Sequence, residues 1–109
     1  MSTINKLNAI RNLQNDWDGE GSPAPSNNVM WSAHRLIGTV KDLGSQIYNV
    51  VPGPKGEIMV DVQGKNLRSV EFIIYPDKIK YVKFPETDTP EQGLFGYYML
   101  PGLLAWVNQ

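Results

Sequence analysis

The stretch Glu57–Phe84, EIMVDVQGKNLRSVEFIIYPDKIKYVKF, alternates apolar and polar side chains in runs broken by two turn signals. Ile58, Val60 and Val62 alternate with Glu57, Met59 and Asp61, and Val70, Phe72 and Ile74 alternate with Ser69, Glu71 and Ile73. A period of two belongs to a strand with one buried face and one mostly wet face. Gly64-Lys65-Asn66 and Pro76-Asp77-Lys78 supply the turns, and connections this short force neighbouring strands to run antiparallel. Upstream, Pro52-Gly53-Pro54-Lys55-Gly56 marks another turn. Four strands are therefore predicted, at 46–51, 57–63, 67–75 and 78–84, in a meander. Lys78, Lys80 and Lys83 load the fourth with charge, which suits an edge strand guarded against edge-to-edge pairing.

Before residue 44 the period is helical. Ile4, Leu7, Ile10 and Leu13 recur at three-residue steps after Ser2-Thr3, so residues 3–14 read as a short amphipathic helix whose stripe Trp17 continues. Ser26 is a natural N-cap for a second helix closed by Gly44. Its Val29, Ala33, Leu36, Val40 and Leu43 follow a 4-3-4-3 spacing that places all five on one face. At the other end, residues 85–93 read as loop, 94–100 as a strand, and Pro101 opens a short helix through Trp106. The predicted fold class is α+β: two N-terminal helices packed on one face of a four- to five-stranded antiparallel meander, with a short C-terminal helix.

With 109 residues the chain is one domain holding one core. Apolar residues make up 41% and charged residues 19%, the composition of an ordered chain. Ten Lys and Arg against eleven Asp and Glu leave a net charge of -1, too little basic surface for nucleic acid. The absence of cysteine excludes disulfides, thiolate metal sites and a Cys nucleophile, and fits a cytoplasmic protein. No secretory h-region opens the sequence, and the apolar run from Leu94 to Val107, broken by Gly96, Pro101 and Gly102, is too short to span a bilayer. No membrane partner is expected.

Chemistry-bearing motifs are few. Asp16, Asp18 and Glu20, followed by Gly21, match positions 1, 3, 5 and 6 of a calcium loop, where alternate side chains converge on one hard cation. The twelfth position is Asn27 instead of a bidentate Glu, and Pro23 and Pro25 stiffen the half that must wrap the ion. The competing reading has these acids capping turns. His34, the only histidine, lies about 140° from the apolar stripe at ~100° per residue, which reads as surface. Neither a nucleophile elbow nor a phosphate-binding glycine loop occurs. No catalytic residue and no cofactor are expected.

Trp31 falls about 200° from the same stripe on that wheel, beside Arg35 and Asp42. Either the Trp17 loop or the C-terminal tail folds over it, or it is the hot spot of an interface, where Trp is enriched. Met59, on the wet face of the sheet between Glu57 and Asp61, is a second exposed apolar candidate. Tyr97-Tyr98-Met99-Leu100 with Trp106 forms another aromatic concentration, of the kind more often found in a core.

The loop Asn15-Asp16-Trp17-Asp18-Gly19-Glu20-Gly21-Ser22-Pro23-Ala24-Pro25-Ser26, an Ala-and-Leu helix, and then Val51-Pro52-Gly53-Pro54-Lys55-Gly56-Glu57-Ile58 resemble small bacterial proteins built around a WDG-x-G loop. The resemblance spans residues 7–75; Gly96 and Pro101-Gly102 depart from it. It carries no established activity and implies an accessory or regulatory partner, sometimes of mobile-element or defence-type systems. The leading expectation is a non-enzymatic protein-interaction module, antitoxin-like or an inhibitor, that binds a partner protein through Trp31, Trp17, Asp16, Asp18, Arg35 and Met59. The alternative is a small-ligand or calcium-binding domain using Asp16, Asp18 and Glu20. An open edge or an uncovered Trp suits a homodimer as well as a foreign protein.

Overall fold

In the computed structural model, which describes residues 2–109, the strand period places Ile58, Val60, Val62, Val70, Phe72 and Ile74 on one side of the central strands and leaves Met59 and Ile73 on the other. The elements are α1 (Thr3–Arg11), α2 (Asn27–Asp42), β1 (Asn49–Pro52), β2 (Ile58–Gln63), β3 (Ser69–Ile74), β4 (Ile79–Phe84), β5 (Glu91–Leu94), a 3₁₀ turn (Tyr97–Met99) and α3 (Leu100–Val107). The strands form one antiparallel sheet in the order β1-β2-β3-β4-β5. Val50, Ile58, Val60, Val62, Val70, Phe72 and Ile74 are buried on the face that α2 and α3 cover, while α1 lies against β1. The α+β architecture, with a short C-terminal helix, is as the periodicity predicts.

Local chemistry sets the helix ends. Ser2 and Ser26 cap α1 and α2, their hydroxyls accepting from the Asn5 N–H at 3.2 Å and the Val29 N–H at 3.3 Å. Gly44, at φ 88, turns the chain out of α2. Val29, Ala33, Leu36 and Val40 are fully buried as the stripe requires, and Met30 and Ile37 widen it. Leu43, the fifth expected member, lies past the last helical residue and is exposed. Ile4 is exposed as well, so α1 holds on through Leu7 and Ile10.

Three expectations about the strands are corrected. The fourth strand is not an edge, because Glu91–Leu94 pairs with Lys80–Lys83 and adds a fifth. Lys83 forms an ion pair with Glu91 at 3.6 Å and carries its ammonium 4.4 Å from the Trp106 ring centroid. The strand expected at 94–100 ends at Leu94, where the chain turns through Gly96 into the 3₁₀ turn. Glu57, expected on the wet face, is buried: its carboxylate accepts the Lys55 N–H at 2.8 Å inside the β1–β2 turn. The tail splits, with Leu100 buried and Tyr98 exposed.

The β2–β3 turn grips the C-terminal end of α3. Arg68 donates to the Trp106 carbonyl at 3.1 Å and to Gln109 Oε1 at 3.0 Å, and the Asn66 amide donates to the Gln109 carbonyl at 2.9 Å. A guanidinium there complements the negative end of the helix dipole. Gly64 sits directly against the Val107 backbone, leaving no room for a Cβ. Gly64→Ala is expected to cost about 2 kcal/mol through overpacking, a fall of roughly 10 °C in the midpoint of a thermal melt.

Candidate functional site

The loop between α1 and α2 is built from its own side chains. Asp16 adopts φ 65, its N–H donates to the Ser22 carbonyl at 2.7 Å, and its Oδ1 accepts the Gly21 N–H at 2.6 Å. Asp18 Oδ1 accepts the N–H groups of Glu20 at 2.9 Å and Ser22 at 3.3 Å, while the Ser22 hydroxyl donates to Asp18 Oδ2. The Ser22 hydroxyl, and then the Glu20 N–H, hold the Asp18 carboxyl below its ordinary pKa. Asn15 Oδ1 accepts the Ala24 N–H at 3.0 Å, and the half-buried Trp17 donates from its indole to the Pro23 carbonyl at 3.2 Å. Asp16 and Asp18 thus serve the loop's own amides, and among the described residues no three His, Cys, Asp or Glu side chains gather as metal ligands. Their spacing is that of a turn held by Asx capping.

Trp31 and Arg35 lie one turn apart on the outer side of α2. Trp31 is 68% exposed, so neither the Trp17 loop nor the tail covers it. The tail reaches Arg35 instead, whose guanidinium lies 4.3 Å from the Tyr97 ring centroid. Tyr98, the next residue, is 88% exposed. Tyr97 links this surface to the core through edge-on contacts at 5.1 Å, from Tyr97 to Phe95 and from Phe95 to Phe72. Its buried hydroxyl has no partner among the described residues, and burial raises its pKa against the lowering effect of Arg35. His34, also exposed, meets the Arg11 guanidinium at 2.8 Å and ties α2 to the end of α1.

Met59 belongs to the opposite side of the molecule. Turned away from the helices, the sheet presents the cross-strand row Val51, Met59, Ile73, Lys80 and Leu94, and beside it the row Asn49, Asp61, Glu71, Val82 and Gln92. Met59, Ile73, Asp61, Glu71 and Val82 are half-buried, and Leu94 is exposed. Asp61 and Glu71 are direct partners across β2 and β3. Burial raises the pKa of both; for Glu71 the Asp61 charge and a hydrogen bond to Asp61 add to it, while that bond works the other way for Asp61. Sequence reading passes over this pair because each acid looks like an ordinary wet-face residue. Its signal is the hairpin itself: with Gln63 closed on Ser69, the residues two steps along each strand are Asp61 and Glu71.

Both carboxyls bind protons more tightly when folded, so their stabilising contribution is complete below the ordinary carboxylate range and is lost as pH rises through the raised values. Asp61→Asn with Glu71→Gln should raise the melting midpoint at about pH 7 by a few degrees, roughly 1 kcal/mol for relieving a facing like-charge pair, and by less at about pH 4. Tyr97→Phe, which deletes an unpaired buried hydroxyl, should leave the midpoint unchanged or raise it by up to ~1 kcal/mol. Set against protein-family models, curated proteins and solved structures, the chain matches none.

Proposed function

We propose that this protein is a non-enzymatic interaction module, of the antitoxin-like or inhibitor kind, that holds a partner protein on the outer side of α2. The observation that carries this reading is Trp31, left 68% exposed on a helix whose other large apolar side chains are buried. An exposed indole is costly in water and valuable in a desolvated contact, and Trp, Tyr and Arg are the residues that most often dominate binding energy. Arg35 adds a cation already ordered by its stacking on Tyr97, so less side-chain entropy is lost on docking. The Trp17 loop, with Asp16 and Asp18, is held by its own hydrogen bonds and leads into the Ser26 cap of α2, and we assign it to the flank of the same contact. Among the described residues no helix is long and apolar enough to cross a membrane. We place the partner in the cytoplasm, where a chain without cysteine needs no disulfide.

Affinity capture of the tagged chain from its host, with light scattering on the eluate, tests the reading. A stoichiometric foreign protein is expected with the native sequence. Trp31→Ala should lose it, by tenfold or more in affinity, while the melting midpoint moves by no more than about 2 °C. Recovery of a homodimer that Trp31→Ala disperses would reassign the surface to self-association, and a large fall in midpoint would make Trp31 a structural residue.

A further inference from the structure

The outer face of α2 carries a residue that the fold does not explain. Gly38 lies in the middle of the helix and is exposed, and a Cβ built on it would meet nothing within 4 Å. Glycine weakens a helix interior relative to alanine, and no turn, positive φ or neighbour in its own chain requires it here. What a bare position does offer is close approach by another backbone. At ~100° per residue, Trp31, Arg35, Gly38 and Asp42 fall within a sector of about 60° on that face, with His34 and Lys41 on its flank.

The charges are placed symmetrically about the glycine. Arg35 and Asp42 lie equally far, about 5 Å along the axis at ~1.5 Å per residue, on either side of the point between Gly38 and Thr39. Both are exposed, and among the described residues the one ion pair within 4.0 Å is Lys83–Glu91, so neither meets an opposite charge. Stacking on Tyr97 engages the face of the Arg35 guanidinium and leaves its N–H edge able to meet a carboxylate. A two-fold axis through that midpoint, perpendicular to α2, lays a second α2 antiparallel on the first. It sets Arg35 of each copy against Asp42 of the other and brings the two bare glycines together at the crossing. A parallel pairing would set Arg35 against Arg35 instead.

We propose that two copies of this chain pair through α2 in this way when no foreign partner is bound, so that the chain itself covers the surface assigned above and a partner must displace it. This rests on the outer side of α2 being a binding surface and adds what controls access to it. Each Trp31 then lies over the C-terminal end of the other copy's α2, where Leu43 is 49% exposed and, with Gly44, Ser45, Pro101 and Leu104, borders a hollow of about 270 Å³. The indole thereby gains apolar cover in the free protein. One helix pair is small beside the ~1,600 Å² of a standard interface, which makes this dimer weak and exchangeable.

Sedimentation of the purified full chain, from micromolar to millimolar concentration, is the test, and a monomer–dimer equilibrium is the expected result. Arg35→Asp and Asp42→Arg should each weaken the dimer tenfold or more, because like charges then face each other twice. Mixed one to one, these two variants should pair again as a heterodimer, in which both facing pairs are opposite. Gly38→Leu should disperse the dimer while melting no lower than the native chain at micromolar concentration, since the new side chain meets open space in the monomer, a pairing of results that damage to the fold would not produce. A native chain that stays monomeric at millimolar concentration, a dimer indifferent to Gly38→Leu, or a mixture of the charge variants that stays monomeric would overturn the proposal. A monomeric chain that still captures a foreign protein from its host would lose only the dimer, and a dimer that captures none would lose only the foreign partner.

Discussion

A slip of one residue along β2 and β3 would carry Asp61 and Glu71 beneath α2 and turn Val60, Val70 and Phe72 out to water. Because side chains alternate strictly, register is all or nothing for a strand with one buried face. The buried row Val60–Phe72–Tyr81 therefore fixes the open face as firmly as it fixes the core. Everything else takes its position from that pairing: α2 over β2 and β3, α3 over β3, and Phe95 edge-on to Phe72. The acid pair is then the residue of a choice made for apolar reasons, retained at a cost on the side the helices do not cover.

The central hairpins and α2 were legible in the sequence because one signal, periodicity, was uncontested there. β5 was not, since Glu91-Gln92-Gly93-Leu94 has no alternation and little β preference. Its pairing comes from outside, from the free edge of β4 and from Gly93, whose bare backbone lies against the Tyr81 ring where a Cβ would crowd it. The lysines of β4 misled for the same reason: charge on a strand speaks of an edge only when no neighbour follows. Ile4 and Leu43 continued their stripes on paper but fall at or beyond a helix terminus, where the core has already ended.

The candidate surfaces divide along the same line. A helical wheel is enough to place Trp31 off the core, but cover is a tertiary property, settled only when the tail's Tyr97 takes Arg35 and leaves the indole bare. For the acidic loop, spacing alone fits both an ion site and a capped turn; the bonds from Asp16 and Asp18 to nearby amides show what those carboxylates do in the fold. Asp61 and Glu71 were the reverse case, unremarkable singly and defined only by a partner ten positions away. The two exposed sides differ in chemistry, aromatic and cationic on α2 and acidic and aliphatic on the sheet. One small domain thus offers two unlike surfaces back to back.

The grip of the β2–β3 turn on α3 also sets an order in time. Leu100, Leu103, Leu104 and Val107 complete the core, and the chain that holds them in place, Gly64 to Arg68, is made some forty residues earlier. During synthesis the hairpin emerges first and waits, its apolar face covered by α2 but not yet by α3. Until α3 has been made, the part of the sheet face that it covers in the finished fold is open to a chaperone or to aggregation.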